Sequence, residues 1–190
     1  MQHVQPIILA AGAANRFGAC KLLLRYRNKS LLQHCVDTAA SLQLPEPIIV
    51  SGAWHRQLEE THPQLDLREH RGWRGGMGSS LAFGIRQLPA QCEAALVLLA
   101  DQLAVSGADI ACLLEEWRKH RRIVCSFYAG RRGVPAIFPR RVFHHLEGLD
   151  NDRGARGLLR DQQADVVSVP IANGAIDIDT PEDWQAYGEE

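Results

Sequence analysis

"PIILAAGAANRFGACK" (residues 6–21) couples an apolar run to a loop of glycine and alanine that carries two cations, Arg16 and Lys21. The run ends at a glycine, as a strand buried in a parallel sheet does. The loop fits neither of the common phosphate-binding turns. A dinucleotide fingerprint needs G-x-G-x-x-G, but Ala13 and Ala14 follow Gly12. A P-loop needs G-x-x-x-x-G-K-[ST]; here five residues separate Gly12 from Gly18, two more precede Lys21, and Leu22 stands where a hydroxyl belongs. What remains is a longer strand-to-loop turn whose small residues let backbone N–H groups approach a ligand, with Arg16 and Lys21 added for charge.

The pattern continues outward from this loop. "PIIVSG" (residues 47–52) predicts a second strand, and "AALVLLAD" (residues 94–101), the most apolar run of the chain, predicts a central strand ending in a carboxylate. Between them, Ser30 opens a helix with an S-x-x-Q cap and Leu31, Leu32, Cys35, Val36 and Ala39 at helical spacing. A polar helix begins near His55 and stops before Pro63, and Leu81, Ile85 and Leu88 mark a helix closed by Pro89. Ser106 and Asp109 form a capping box ahead of Ile110, Leu113, Leu114 and Trp117. "RIVCSF" (residues 122–127) and "VPAIF" (residues 134–138) predict two strands joined by a turn from Gly130 to Gly133. "DVVSVP" and "AIDID" predict two more, the second placing Asp177 and Asp179 on one face, before a helix with Thr180 as N-cap, Pro181 at its first position and Asp183 closing the box. Strands alternating with helices predict an α/β fold, a three-layer sandwich around a mostly parallel, Rossmann-like sheet, in one domain spanning residues 1–190. Ligands of such sheets bind at the carboxyl ends of the strands, where the 12–18 loop and Asp101 both fall.

Composition narrows the function. With 46% hydrophobic and 23% charged residues, no apolar run of membrane-spanning length and no leader-like N-terminus, a cytoplasmic protein without membrane partners is expected. Cys20, Cys35, Cys92, Cys112 and Cys125 show no C-x-x-C spacing, which argues against a disulfide framework and a cysteine zinc site. Cys20 lies beside Lys21, where a cation lowers a thiol pKa; the plainer reading is a small loop filler. His144 and His145 lack a third ligand for zinc. A net charge of −1 gives no reason to expect nucleic acid, yet the charge is unevenly spread. No Asp or Glu precedes Asp37, while residues 177–190 hold no Lys or Arg. A basic end suits an anionic ligand and an acidic end a cation, with Arg25, Arg27 and Lys29 either part of that site or a solvated surface.

"LAAGAANRFGACKLLL" (residues 9–24) resembles the L-A-A-G-x-S-x-R-M-G-x-x-K-L-L signature of the MobA-like nucleotidyltransferases, a group that includes molybdenum cofactor cytidylyltransferase. "GGMGSSLAFGI" (75–85), "LLADQ" (98–102), "GVPAIF" (133–138), "DRGARGLL" (152–159) and "DIDTPEDW" (177–184) match further blocks of that family in order. The resemblance implies a fold of the nucleotide-diphospho-sugar transferase type and transfer of CMP from CTP to molybdopterin cofactor with release of pyrophosphate. CTP is implied by LAAG and G-M-G-S-S, which resemble the cytidylyl branch. Residues Leu9, Ala10, Ala11, Gly12 and Gly18 would frame the nucleotide, with Gly78, Ser79 and Ser80 toward base and ribose. Arg16 would grip the triphosphate as a fork and Lys21 as a point charge. Asp101 would hold Mg²⁺, with Asp179, favoured by the family pattern, or Asp177 completing the site. Gln102, Gly133, Pro135 and Arg156 would touch substrate, and Arg153 and Arg156 the acceptor's phosphate. A molybdenum hydroxylase apoenzyme is the implied downstream partner. Ala14 replaces the family's usual serine, and Cys20 and Leu103 replace frequent prolines. The residues leave open GTP or ATP as donor, a sugar or polyol phosphate as acceptor, and a nucleotide- or cofactor-binding accessory protein without turnover.

Overall fold

All of β1 (Val4–Ala10) is buried, so its backbone and apolar side chains must be satisfied in a sheet interior. The computed structural model describes residues 4–150, 154–160 and 165–188. After β1 come β2 (Arg25–Tyr26), β3 (Lys29–Ser30), β4 (Ile48–Ser51), β5 (Leu67–Glu69), β6 (Ala94–Leu99), β7 (Ile123–Tyr128), β8 (Arg131–Pro139) and β9 (Val166–Pro170). The helices are α1 (Leu31–Ala40), α2 (His55–Thr61), α3 (Gly76–Arg86), α4 (Gly107–His120), α5 (Phe143–Glu147), α6 (Arg156–Arg160) and α7 (Pro181–Gly188).

One seven-stranded sheet has the order β5-β4-β1-β6-β8-β7-β9. It is parallel except for β8, which runs antiparallel between β6 and β7. Alternation along β1 sends Ile8 and Ala10 to one face, where Leu32, Val36, Leu113 and Trp117 of α1 and α4 cover them. Ile7 and Leu9 face the other way, toward Leu81 and Ile85 of α3 and Phe143 and Leu146 of α5. Helices on both faces of a mostly parallel sheet confirm the expected α/β class.

The caps hold as expected at two helices. Ser106 and Asp109 bond reciprocally ahead of α4, and Thr180 and Asp183 do the same ahead of α7, at 2.8 and 3.1 Å. At α1 only half the box forms: Ser30 accepts the Gln33 N–H, but the Gln33 amide turns to Asp37.

Two expectations are corrected, and one left open is settled for the exposed surface. The β7–β8 turn is made by Ala129 and Gly130, both at positive φ (47° and 70°), and Arg131 to Gly133 belong to β8. A two-residue turn with positive φ matches the twist of a hairpin, so pairing continues to Tyr128 and Arg131. "AIDID" is not a strand: β9 already pairs with β7, a short helical turn follows at Ala172–Ala175, and the chain then crosses the strand ends with Ile178 buried. Asp177 and Asp179 consequently do not share a strand face. The basic run of Arg25, Arg27 and Lys29 makes the β2–β3 hairpin, turned by Arg27 and Asn28 at positive φ, with Lys29 paired to Asp37 at 2.5 Å.

The seam between α3 and the sheet is tight at Gly84. A Cβ there would stand 2.9 Å from Ile7 Cγ2 and 3.1 Å from Val50 Cγ2, both in the core. Alanine favours a helix over glycine by about 1 kcal/mol, but forcing a methyl into a filled core costs about 1–3 kcal/mol. Gly84→Ala is therefore expected to lower stability in urea unfolding by about 1 kcal/mol net; a gain would show that the seam relaxes freely.

Candidate active site

The loop after β1 rises from the carboxyl end of the sheet and is held by backbone. Ala53 N–H donates to Ala11 O at 3.1 Å, and the indole Nε1–H of Trp54 donates to Ala13 O at 2.9 Å. Ala14 lies at φ 52°, and its carbonyl accepts from Phe17 and Gly18, closing a tight turn. Cys20 then buries itself in the core beneath α1, and burial pushes its thiol pKa up, so it is the filler and not a reactive group. That anchoring delivers Lys21 to the strand ends.

Lys21 Nζ donates to Asp101 Oδ2 at 2.7 Å and to Asp179 Oδ1 at 2.9 Å. Arg16 Nη2 reaches the other oxygen of Asp179 at 2.7 Å. The two cations differ in depth: the Lys21 side chain is 12% exposed and that of Arg16 71%, so Lys21 forms the interior charge and Arg16 the rim. Burial alone would lower the Lys21 pKa, but the charge of Asp101 and hydrogen bonds to both carboxylates outweigh it and raise the value. Burial likewise works to raise Asp179, yet the hydrogen bonds and charges of Lys21 and Arg16 hold it below the usual range.

Two adjoining cavities open here and share Leu9, Gly12, Asn15 and Asp101 as a common wall. The smaller, about 300 Å³, is the charged one, with Arg16, Lys21, Asp179, Ala10 and Trp54. The larger, about 430 Å³, is lined by Ala11, Ala13, Trp73, Arg74, Met77 and Ser80. A third space of about 60 Å³ shares Met77 and Leu99 with the larger cavity and brings together Gly133, Arg156 and Asp177. Burial, then the nearby charge of Asp101, pushes the Asp177 pKa up, and its Oδ1 is buried with no hydrogen-bond partner among the described residues.

The residues singled out in the sequence thus fall into groups. Leu9, Ala10, Ala11, Gly12, Arg16, Lys21, Ser80, Asp101 and Asp179 line the paired cavities. Gly133, Arg156 and Asp177 lie in the third space. Gln102 is buried and turns its amide to Gly174 O at 2.9 Å and Val134 O at 3.3 Å, tying the 172–175 turn and β8 to the Asp101 corner. Pro135 joins Gln102 beside an apolar crevice of about 20 Å³, space for one water. Gly18 lies on the exposed outer turn, Gly78 is buried within α3, and Ser79 points its hydroxyl at His70. Arg153 lies outside the described residues. Trp54, Asn15, Arg74 and Met77 were not picked out from the sequence; the signal available was Trp54's place just past the second strand end and Met77's within the glycine block.

The mostly parallel sheet, with paired cavities over the carboxyl ends of its strands, has the fold of the nucleotide-diphospho-sugar transferase neighbours, and the match of its sequence to a transferase family makes the protein a nucleotidyltransferase. The chain belongs to the MobA-like NTP transferase domain family, whose sequence profile matches residues 6–166. It is similar to Purine catabolism protein PucB of Bacillus subtilis (strain 168), 28% identical over 94% of this chain and 92% of that protein. It is also similar to the Nicotine blue oxidoreductase of Paenarthrobacter nicotinovorans, 29% identical over 94% of this chain and 93% of that one. Among solved structures, Rv0371c of Mycobacterium tuberculosis H37Rv superposes with a TM-score of 0.86 at 25% identity, each chain covered in full. Rv0371c has also been solved in complex with manganese, with a TM-score of 0.81 at 23% identity and the same full coverage.

The lowered Asp179 pKa sets a pH signature. Its contribution to stability is fully present above the unfolded carboxyl pKa of about 4 and is lost as pH falls through the lower folded value. Urea midpoints followed from about pH 5 downward are expected to fall more steeply for wild type than for Asp179→Asn; equal slopes would show that Lys21 and Arg16 do not hold that charge.

Proposed function

We propose that this protein is a Mg²⁺-dependent cytidylyltransferase that transfers CMP from CTP to the phosphate of molybdopterin cofactor and releases pyrophosphate. The observation that carries the reading is the Lys21 ammonium, held by Asp101 and Asp179 in a cavity that adjoins a larger, less charged one. A nucleoside triphosphate has the same division, with charge at one end and a planar base at the other. The triphosphate takes the smaller cavity, and base and ribose the larger one against Trp73 and Ser80.

The donor set fits a metal that arrives with nucleotide. Asp101 and Asp179 already converge on one cation, and no group of three His, Cys, Asp or Glu side chains among the described residues forms a cage. Mg²⁺ accepts one or two carboxylates and fills its shell with phosphate oxygens and water. When bound, it supplies neutralisation of the charge that develops on the leaving pyrophosphate. Asp101 and Asp179 would hold it, while Asp177, which lines the separate space with Gly133 and Arg156, would face the acceptor instead.

The chain's own residues supply the rest. The acceptor phosphate is already an ionised nucleophile, so no general base is required. One of its oxygens attacks the α-phosphorus, the bond to the bridging oxygen breaks, and the electron pair leaves with pyrophosphate. Lys21 from the interior and Arg16 from the rim draw two anions together and strengthen their hold as charge moves outward. Gly133 and Arg156 receive the acceptor through the space that opens at Met77 and Leu99. The choice of CTP and molybdopterin is supported by the LAAG and G-M-G-S-S blocks and the four that follow, and a molybdenum hydroxylase apoenzyme is the recipient such a product implies.

Pyrophosphate release measured with Mg²⁺, molybdenum-loaded molybdopterin and CTP, GTP or ATP in turn tests this reading. Release is expected with CTP. Release only with another nucleotide, or only with a sugar or polyol phosphate acceptor, would reassign the substrates; nucleotide binding without release from any mixture would mark an accessory protein. Lys21→Ala and Asp101→Asn should each lower kcat/KM by about 10²-fold or more, and unchanged turnover in either would overturn the mechanism.

A further inference from the structure

We infer that His70 is a positioning residue for the nucleoside: through Ser79 it fixes the 73–77 wall of the larger cavity. The inference rests on the reading of that cavity as the nucleoside lobe. Residues 70–75 must cross the sheet end between β5 and α3, and they carry Trp73, Arg74 and, just beyond, Met77 onto the cavity wall. Short irregular segments of this kind hold one shape only where side chains supply what regular structure does not.

His70 is fixed on three sides. Its N–H donates to Ser51 O at 2.9 Å, which ties it to the end of β4. Its ring stacks on Phe83 of α3, centroids 4.8 Å apart and planes 27° apart. Its Nε2 lies 2.8 Å from Ser79 Oγ. Ser79 Oγ also lies 3.4 Å from Gly72 O, so the hydroxyl sits between the ring and the loop backbone. Burial, then the Arg86 charge, pushes the His70 pKa down, which favours the neutral ring.

The surrounding glycines are the space this clasp occupies. A Cβ on Gly72 would meet His70 Cε1 at 3.0 Å, and one on Gly75 would meet Ser79 Cβ and Oγ at 3.0 Å. Within the loop, Trp73 N–H donates to His70 O at 3.1 Å and Gly75 N–H to Gly72 O at 2.9 Å. Gly52 completes the fit, since a Cβ there would collide with Trp73 Cβ at 2.7 Å. Trp73 thus packs against Gly52 past the end of β4 and is tied by its own N–H to the His70 carbonyl, with the Arg74 guanidinium 4.7 Å from its ring centroid. His70 lines neither cavity, so any effect on substrate passes through this wall.

The test uses His70→Ala, Ser79→Ala and the conservative His70→Gln, whose amide can donate or accept in place of Nε2. In the ligand-free protein, amide hydrogen exchange over residues 72–77 should accelerate about tenfold in the first two variants, with β1 and β6 unchanged, and return near wild type in His70→Gln. With substrate, KM for CTP should rise about tenfold in His70→Ala with kcat within about twofold, and His70→Gln should restore it. Unchanged exchange in both alanine variants would overturn the clasp. Faster exchange with unchanged KM and unchanged CTP affinity by calorimetry would overturn its positioning role. Wild type that releases no pyrophosphate would sink the proposed function alone, because exchange and calorimetry still decide the clasp.

Discussion

A single ammonium, that of Lys21, joins three segments that are remote in sequence: the loop after β1, the end of β6 at Asp101, and the run before α7 at Asp179. Such a half-buried triad is a poor source of stability, because desolvating three ions offsets most of the Coulomb gain. Its value lies in geometry. The ammonium draws both carboxylates together at the strand-end cavity, and removing one partner leaves charge uncompensated in a partly dry place. On the proposed reading, a nucleotide with its metal would bring both positive and negative charge and would exchange partners with the triad without leaving it unpaired.

The acidic side of the triad depends on a segment with almost no regular structure. The run from the 172–175 turn to α7 is secured at four points. Gln102 holds Gly174 O, Ile178 N–H reaches Asp101 O at 3.4 Å, and Ile178 is buried. The Thr180–Asp183 box then fixes the start of α7, and the Asp183 carboxylate also accepts the Asp179 N–H at 3.0 Å. At the far end of α7, Tyr187 meets Tyr26 edge-on at 5.4 Å, which links the helix to the β2–β3 hairpin. Gln102 therefore serves the site without lining the paired cavities: its amide holds the chain that aims Asp179.

What could be read from the sequence follows from how local each constraint is. β1, β6 and α4 were legible because an unbroken apolar run or a reciprocal cap is decided by its own residues. β2 and β3, at two residues each, and the polar β5 carry too few residues for periodicity to show; neighbouring segments create them. "AIDID" alternates like a strand, but alternation cannot report that β9 has already paired with β7. The same limit governs the site. Lys21, Arg16 and Asp101 stand where a strand meets a loop and could be placed from pattern. Spacing alone could not separate Asp177 from Asp179, because only the turn at Ala172–Ala175 sends one into the space lined by Gly133 and Arg156 and the other to Lys21. The His70–Ser79 bond crosses a loop and leaves no periodic trace.

The loop's departures from the family pattern show how the same geometry is reached with different residues. Where that pattern has proline before the lysine, the ring would restrict the backbone locally. Cys20 has no such restriction; it is fixed by burial in the core beneath α1, so the path into Lys21 depends on packing. Ala14 occupies a left-handed conformation that disfavours an L side chain by about 1 kcal/mol. The two amides bonded to its carbonyl and the Trp54 indole on Ala13 O oppose that strain. A loop restrained by its neighbours in this way holds its backbone N–H groups in place without a hydroxyl at position 14, which leaves Arg16 and Lys21 as its charged side chains.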